Sequence, residues 1–184
     1  IGINLVKYWL AHTTHKYLVI DKFSYASNGP TLEELLAKFP DRLAVEAADI
    51  CDEVRMAKIF EYFQPDSIIH LAAESHVDNS ITASFPFMKT NVLGTYTLLE
   101  TTRKFLTKGK GKDQNSFLFH HVSTDEVYGD LEGEKCSANE SFKYIPSSPY
   151  SATKACSDHL VTAWGRTFGI QYVISNCSNN YGPL

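Results

Sequence analysis

Short apolar runs alternate with longer stretches of helical period along this chain. Residues 3–10 set Leu5, Val6, Trp9 and Leu10 near one face and predict a helix. Residues 17–20 (YLVI) form a buried-strand run that ends at Asp21. Thr31-Leu32-Glu33-Glu34 has capping-box spacing and predicts the start of a short helix. Residues 43–47 predict a strand leading to Asp49, residues 52–63 a helix stopped near Pro65, and residues 67–73 another strand. Residues 84–106 read as one long helical segment, with Pro86 and Gly94 as local weaknesses. A solvated loop at 108–113 precedes a strand at 117–122, followed at once by Ser123-Thr124-Asp125-Glu126. Residues 150–168 predict a helix and 171–175 a last strand. No internal repeat interrupts the pattern.

Strands that are apolar on both faces and separated by helices point to an α/β fold with a mainly parallel sheet. In such sheets ligands bind at the carboxyl ends of the strands. The polar residues that close these strands are Asp21, Asp49, Ala73-Glu74-Ser75, Thr124-Asp125-Glu126 and Asn176 onward. They are expected to converge on one cleft.

Composition narrows the classes of partner. The chain has 184 residues, is 43% hydrophobic and 21% charged, and carries a net charge of −4 without charge blocks. That balance argues against a nucleic-acid partner, which calls for a basic face. No run approaches the length of a membrane span, and no secretory leader opens the sequence. Cys51, Cys136, Cys156 and Cys177 lack metal or redox spacing and read as reduced thiols of a cytoplasmic protein. His120 and His121 are adjacent on a strand, face opposite ways and cannot readily chelate together, so no metal site is expected. The sequence opens without Met and stops on Asn180-Tyr181-Gly182-Pro183-Leu184, so further chain is expected on both sides.

Candidate chemistry lies at the strand ends. Tyr150 and Lys154 stand at i and i+4 and share a helix face. A free tyrosine has a pKa near ~10, and a neighbouring ammonium favours its phenolate, which makes a general base. Thr124 offers a hydroxyl to the same oxygen of a bound sugar. Asp125 and Glu126 supply one acid and one base if their surroundings drive their pKa values apart; the same residues would also suit an exposed acidic turn. Asp21 can accept both ribose hydroxyls of an adenosine and would repel a 2′-phosphate, although Lys22 next to it weakens that preference; an ordinary strand-terminal turn would also use Asp there. Gly2, ahead of an apolar helix, fits the tail of a glycine-rich phosphate loop whose last glycine lets helix and strand pack closely. Ala72 and Ala73 are small enough for a dinucleotide to approach the backbone, or for plain core packing.

Taken together, the segments HLAAESHVD (70–78), VSTDEVYG (122–129), SPYSATK (148–154), NCSNNYGP (176–183) and DKFSYA (21–26) resemble the dTDP-glucose 4,6-dehydratases. These are NAD-dependent nucleotide-sugar dehydratases of the extended short-chain dehydrogenase/reductase family. The resemblance covers nearly all of the chain and about half of a complete enzyme. The Tyr-Lys pair is common to the whole superfamily, whereas Asp125-Glu126 separates dehydratases from epimerases. The resemblance implies a Rossmann-like doubly wound sheet, incomplete at both ends, whose first strand and small C-terminal substrate domain lie outside this sequence. It implies NAD held by Asp21, Lys22, Ser24, Asp49, Ile50, Leu71, Ala72, Ala73, Thr90, Tyr150, Lys154 and Asn180, with Gly2 belonging to the phosphate loop. Ser75, Thr124 and Asn179 would meet the nucleotide sugar. Tyr150 would take the O4 proton, Glu126 the C5 proton, and Asp125 would protonate the leaving C6 hydroxyl, giving a 4-keto-6-deoxy sugar in a rhamnose or other deoxysugar route. Segments 84–106 and 150–168 would form a homodimer interface.

Some positions depart from that pattern. Asn79 stands where Arg is expected, which bears on the substrate-side loop; Ser24 replaces Thr and Ser27 replaces Gly. A UDP-glucose 4,6-dehydratase, another NAD-dependent UDP-sugar epimerase or decarboxylase, and an incomplete chain that binds neither ligand are the competing readings.

Overall fold

The computed structural model describes residues 1–108, 116–131 and 137–183. The loop expected at 108–113 lies outside them from residue 109 onward, as does Cys136. In chain order the elements are α1 (Gly2–His12), β1 (Tyr17–Asp21), α2 (Gly29–Lys38), β2 (Leu43–Ala47), α3 (Glu53–Phe63), β3 (Ser67–His70), α4 (Val77–Thr82), α5 (Phe85–Phe87), a π-helical stretch (Met88–Gly94), α6 (Thr95–Thr107), β4 (Leu118–Thr124), a 3-10 turn (Asp125–Tyr128), α7 (Pro149–Phe168) and β5 (Tyr172–Cys177).

Every strand pair is parallel, as the both-face apolar runs require. The strands form two groups, β1–β2 and β3–β4–β5. Alternation along β1 explains the layers: Leu18 and Ile20 pack with Ile59, Phe60 and Leu98 on one face. Tyr17 and Val19 pack with Leu10, Leu32 and Leu35 on the other. Helices therefore cover both faces of the sheet, which is the doubly wound arrangement. The larger core runs on through Phe117 and Phe119 to Val161 of α7 and Ile170.

Several boundaries differ from the sequence reading, each for a local reason. Asn28, not Thr31, caps α2: its side chain accepts from the Thr31 N–H, and Pro30 fills the first turn. β3 ends at His70 rather than Ala73. Beyond it the Asn91 side chain accepts from the Glu74 N–H at 2.9 Å and donates to the Glu74 carbonyl at 3.0 Å, satisfying that backbone as a neighbouring strand would. The expected helix at 84–106 is broken into α5, the π-helical stretch and α6. The wider winding turns Thr90, Asn91 and Gly94 inward together, where all three are buried. β4 continues through Ser123 and Thr124, which pair with Asn176 and Cys177. The helix α4 had no sequence signal strong enough to announce it.

α7 carries the Tyr-Lys pair, and its start is firmly fixed. Ser148 and Ser151 exchange side chain to backbone bonds in a capping box, a feature worth about 1 kcal/mol. Gly169, in the left-handed region at φ 74, ends the helix.

Candidate active site

A cleft opens along the strand ends, and its lining continues into the gap between β1 and β3, the place of the first strand expected outside this sequence. Asp21, Lys22, Ser24, Asp49, Ile50 and Gly2 line one part of it. Leu71, Ala72, Ala73, Ser75 and Thr90 line the middle. Thr124, Glu126, Tyr150, Lys154, Asn179 and Asn180 line the remainder. The convergence expected from the sheet rule is therefore observed, with exceptions. Asp125 and Asn176 line a smaller cavity of about 680 Å³, which Glu126 also borders.

At the catalytic end, α7 delivers Tyr150 and Lys154, both buried, against the end of β4. Ser80 of α4 accepts from the Tyr150 N–H at 3.1 Å, and Phe87 meets its ring edge-on. The Tyr150 phenol and the Thr124 hydroxyl line the same part of the cleft, close enough for Thr124 to favour the phenolate. Burial, and then the Glu126 carboxylate, push the phenol above its ordinary pKa despite that neighbour. The expected relief from Lys154 is not realised by the chain alone, because the ammonium donates to the Val122 carbonyl at 2.8 Å. Burial drives Lys154 down to about 8 while Asp158 opposes the shift. Glu126 is raised, by burial first and Asp125 second, which makes it the stronger base when ionised. Thr124 also orders the acidic turn: its Oγ1 accepts from the Glu126 N–H at 3.2 Å.

At the other end, Asp21 folds its own turn. Its Oδ1 accepts from the Phe23 N–H at 2.7 Å and the Ser27 hydroxyl at 2.8 Å, leaving Oδ2 for a ligand. Lys22 bridges to Glu74 at 2.7 Å and reaches Thr90 Oγ1 at 3.3 Å, so it binds its own loop to the middle of the cleft. Asp49 Oδ1 accepts from the Cys51 N–H. Gly2 borders the cleft, and a Cβ there would meet no atom within 4 Å; the strand that it was expected to pack against lies outside this sequence. Ser75, Asn179, Asn180 and Asn79 are exposed.

Sequence reasoning missed the supports behind this surface. Asn91 and Asp158, 1% and 2% exposed, tie the elements together. Asp158 stands four residues after Lys154, the one signal that the sequence held; Asn91 follows Thr90 with no motif of its own. Among the described residues no group of His, Cys, Asp and Glu is placed to hold a metal ion.

The model of the GDP-mannose 4,6 dehydratase family matches residues 1–184, the whole chain. The chain belongs to that family. A dTDP-glucose 4,6-dehydratase of Salmonella typhimurium is 48% identical over 191 residues, covering 100% of this chain and 52% of the relative. A probable dTDP-glucose 4,6-dehydratase of Sinorhizobium fredii is 51% identical over 184 residues and 51% of its length. The crystal structure of DesIV, a dTDP-glucose 4,6-dehydratase from Streptomyces venezuelae with NAD and TYD bound, superposes with a TM-score of 0.87 at 37% identity. It covers 99% of this chain and 53% of that one. The chain thus spans about half the length of the family relatives that it matches.

Proposed function

We propose that this chain forms the cofactor-binding and catalytic half of an NAD-dependent dTDP-glucose 4,6-dehydratase. The observation that carries the reading is that Tyr150, Lys154, Thr124 and Glu126 all line one part of the cleft, with the Glu126 carboxyl raised by burial. The relatives' shared activity supports the substrate, and the share of their length matched supports a second, substrate-binding domain beyond this half.

The residues fit NAD. The Oδ2 atom of Asp21 would accept from ribose hydroxyls, Asp49 and Ile50 would hold the base, and the small side chains of Ala72 and Ala73 would let a pyrophosphate approach the backbone. Leu71, Ser24, Lys22, Thr90 and Asn180 complete that wall, and Gly2 borders it. Lys154 keeps two of its three donors after bonding Val122, enough for ribose hydroxyls. Bound NAD would accept a hydride from C4 of the sugar and later return it to C6.

Tyr150 takes the O4 proton as C4 is oxidised, with Thr124 holding O4 in place. The new 4-keto group acidifies the C5 hydrogen; Glu126 removes that proton and gives it back to C5 when the hydride returns to C6. Asp125 turns from the smaller cavity to protonate the C6 hydroxyl, which leaves as water. Ser75 and Asn179 face the sugar and its diphosphate. The product is a 4-keto-6-deoxy nucleotide sugar, suited to a rhamnose or related deoxysugar route.

Exposed Met88, Leu93, Tyr96 and Phe168 on the π-helical stretch, α6 and α7 support a homodimer formed through these helices. Free Cys51, Cys156 and Cys177 support a cytoplasmic location. No helix among the described residues is long and apolar enough to cross a membrane.

Incubation of the full-length protein with dTDP-glucose and with UDP-glucose tests the reading. Alkali-absorbing 4-keto product from dTDP-glucose is expected. Epimerised sugar alone, or product from UDP-glucose alone, overturns it.

A further inference from the structure

Next to Lys154 lies a buried polar cluster, bordering the cleft at Ser123 and the smaller cavity at Asn176, that the proposed reaction leaves unused. Asp158 is at its centre. Its Oδ2 accepts from the Ser123 hydroxyl at 2.8 Å and the Tyr144 phenol at 3.0 Å, and Asn176 Nδ2 lies 3.4 Å away. Three donors on one oxygen suit an ionised carboxylate, which only accepts. Its Oδ1 has no hydrogen-bond partner, although His121 Nε2 lies 3.2 Å away. That imidazole also meets Ser157 Oγ at 3.2 Å. Burial, first of all, pushes His121 and His70 down and so favours their neutral forms. The positive charge that a buried carboxylate requires must come from elsewhere. Lys154, likewise buried and one helical turn back on the same face of α7, is the cation placed to balance it.

We infer that Asp158 is a positioning residue for the dehydratase reaction: its buried carboxylate stands one helical turn from the Lys154 ammonium as its counter-charge and fixes the end of β4 against α7. The two side chains grip consecutive residues of that strand, Lys154 at the Val122 carbonyl and Asp158 at the Ser123 hydroxyl. Asn176 of β5 completes the tie by donating to the Thr124 carbonyl at 3.2 Å. Thr124, which lines the cleft with Tyr150, is the next residue along. Burial alone would carry Lys154 further below its ordinary value, and Asp158 is the foremost opposing influence.

The other titratable groups around the pair are few. Cys177 of β5 acts on Lys154 in the same direction as Asp158. His121 of β4 and His70 of β3 lie on the strand side, their rings 5.1 Å apart. Tyr144, with Tyr128 and His159 against its ring, closes the loop side. Tyr150 and, beyond it, Glu126 and Asp125 lie on the cleft side.

The inference rests on the dehydratase reading for its kinetic arm only. In the full-length protein, the Lys154 ammonium is titrated by NMR of isotope-labelled lysine side chains. Asp158→Asn keeps the shape and loses the charge; it is expected to move the Lys154 midpoint down by about one pH unit. The high-pH limb of kcat should move with it, giving a loss of about fivefold at pH 8 and little at pH 6, with KM unchanged. Asp158→Glu restores most of the shift. Ser123→Ala keeps the charge but cuts the tie, and is expected to lower kcat severalfold with the limb unmoved. If Asp158→Asn does not fold, Asp158→Ser, which also removes the charge, takes its place in the titration, and an unmoved midpoint there overturns the inference. So does an unmoved midpoint in Asp158→Asn, or a loss equal at all pH values. A wild-type protein that forms no 4-keto product sinks the dehydratase reading instead, and the titration still decides the role of Asp158.

Discussion

The Asn91 carboxamide donates to the Thr153 hydroxyl at 2.9 Å, joining the π-helical stretch to the helix residue directly before Lys154. The same side chain holds both backbone groups of Glu74. Three elements of the cleft thus share one buried amide. Asn91→Leu leaves the Glu74 N–H and carbonyl without this partner, each at a cost of about 1–3 kcal/mol, while Thr153 keeps its bond to the Tyr150 carbonyl. Urea unfolding of the full-length protein should lose several kcal/mol. A loss below about 1 kcal/mol would show that water replaces the amide.

Gly94 sits where a Cβ would come 2.5 Å from Ile50 Cδ1 and 2.7 Å from Cγ1. Ala is the better helix former in isolation, but here it would overpack the contact between the π-helical stretch and the cleft wall. Gly94→Ala is expected to destabilise by about 1–3 kcal/mol, read as a lowered Tm. Ile50→Val in the same chain should recover part of it. An unchanged Tm in the single variant would contradict the close packing.

His70 and His121 make stability fall in mild acid. Both are buried and their folded pKa values are depressed, so the unfolded chain binds more protons. Their contribution is fully present above the unfolded histidine pKa of roughly 6.5 and is lost as pH falls below it. Urea unfolding between pH 7 and pH 5 should lose up to about 1.4 kcal/mol per pH unit for each histidine. Replacing both by Gln should flatten that slope. An equal slope in the double variant would assign the acid sensitivity to carboxylates instead.

Leu93 is 47% exposed on the π-helical stretch, near Tyr96, which meets Trp164 of α7 edge-on. If these helices pair with a second copy, Leu93→Asp buries a charge at the interface and should shift the protein from dimer to monomer in sedimentation. A dimer that persists unchanged would move the interface elsewhere.

The order of elements and most of the cleft were legible in the sequence because strand ends must be polar and strands in a covered sheet must be apolar. Tyr150, Lys154 and Thr124 stood out by spacing and by position after a strand. Other features resisted reading because they depend on contacts distant in the chain. Nothing local to Asn91 reveals that Glu74 and Thr153 await it, and nothing near Asp158 reveals Ser123 or Tyr144. Gly94 reads as a helix weakness until Ile50 lies against it. Asp125 faces the smaller cavity because the 3-10 turn splits two neighbouring acids that a linear reading treats as one pair.

Among the described residues, β4 is hydrogen-bonded on both sides, by β3 and by β5, and it ends in Thr124. Its amides should therefore be among the last to exchange with deuterium, so the hydroxyl at its tip rides on one of the least yielding parts of the molecule.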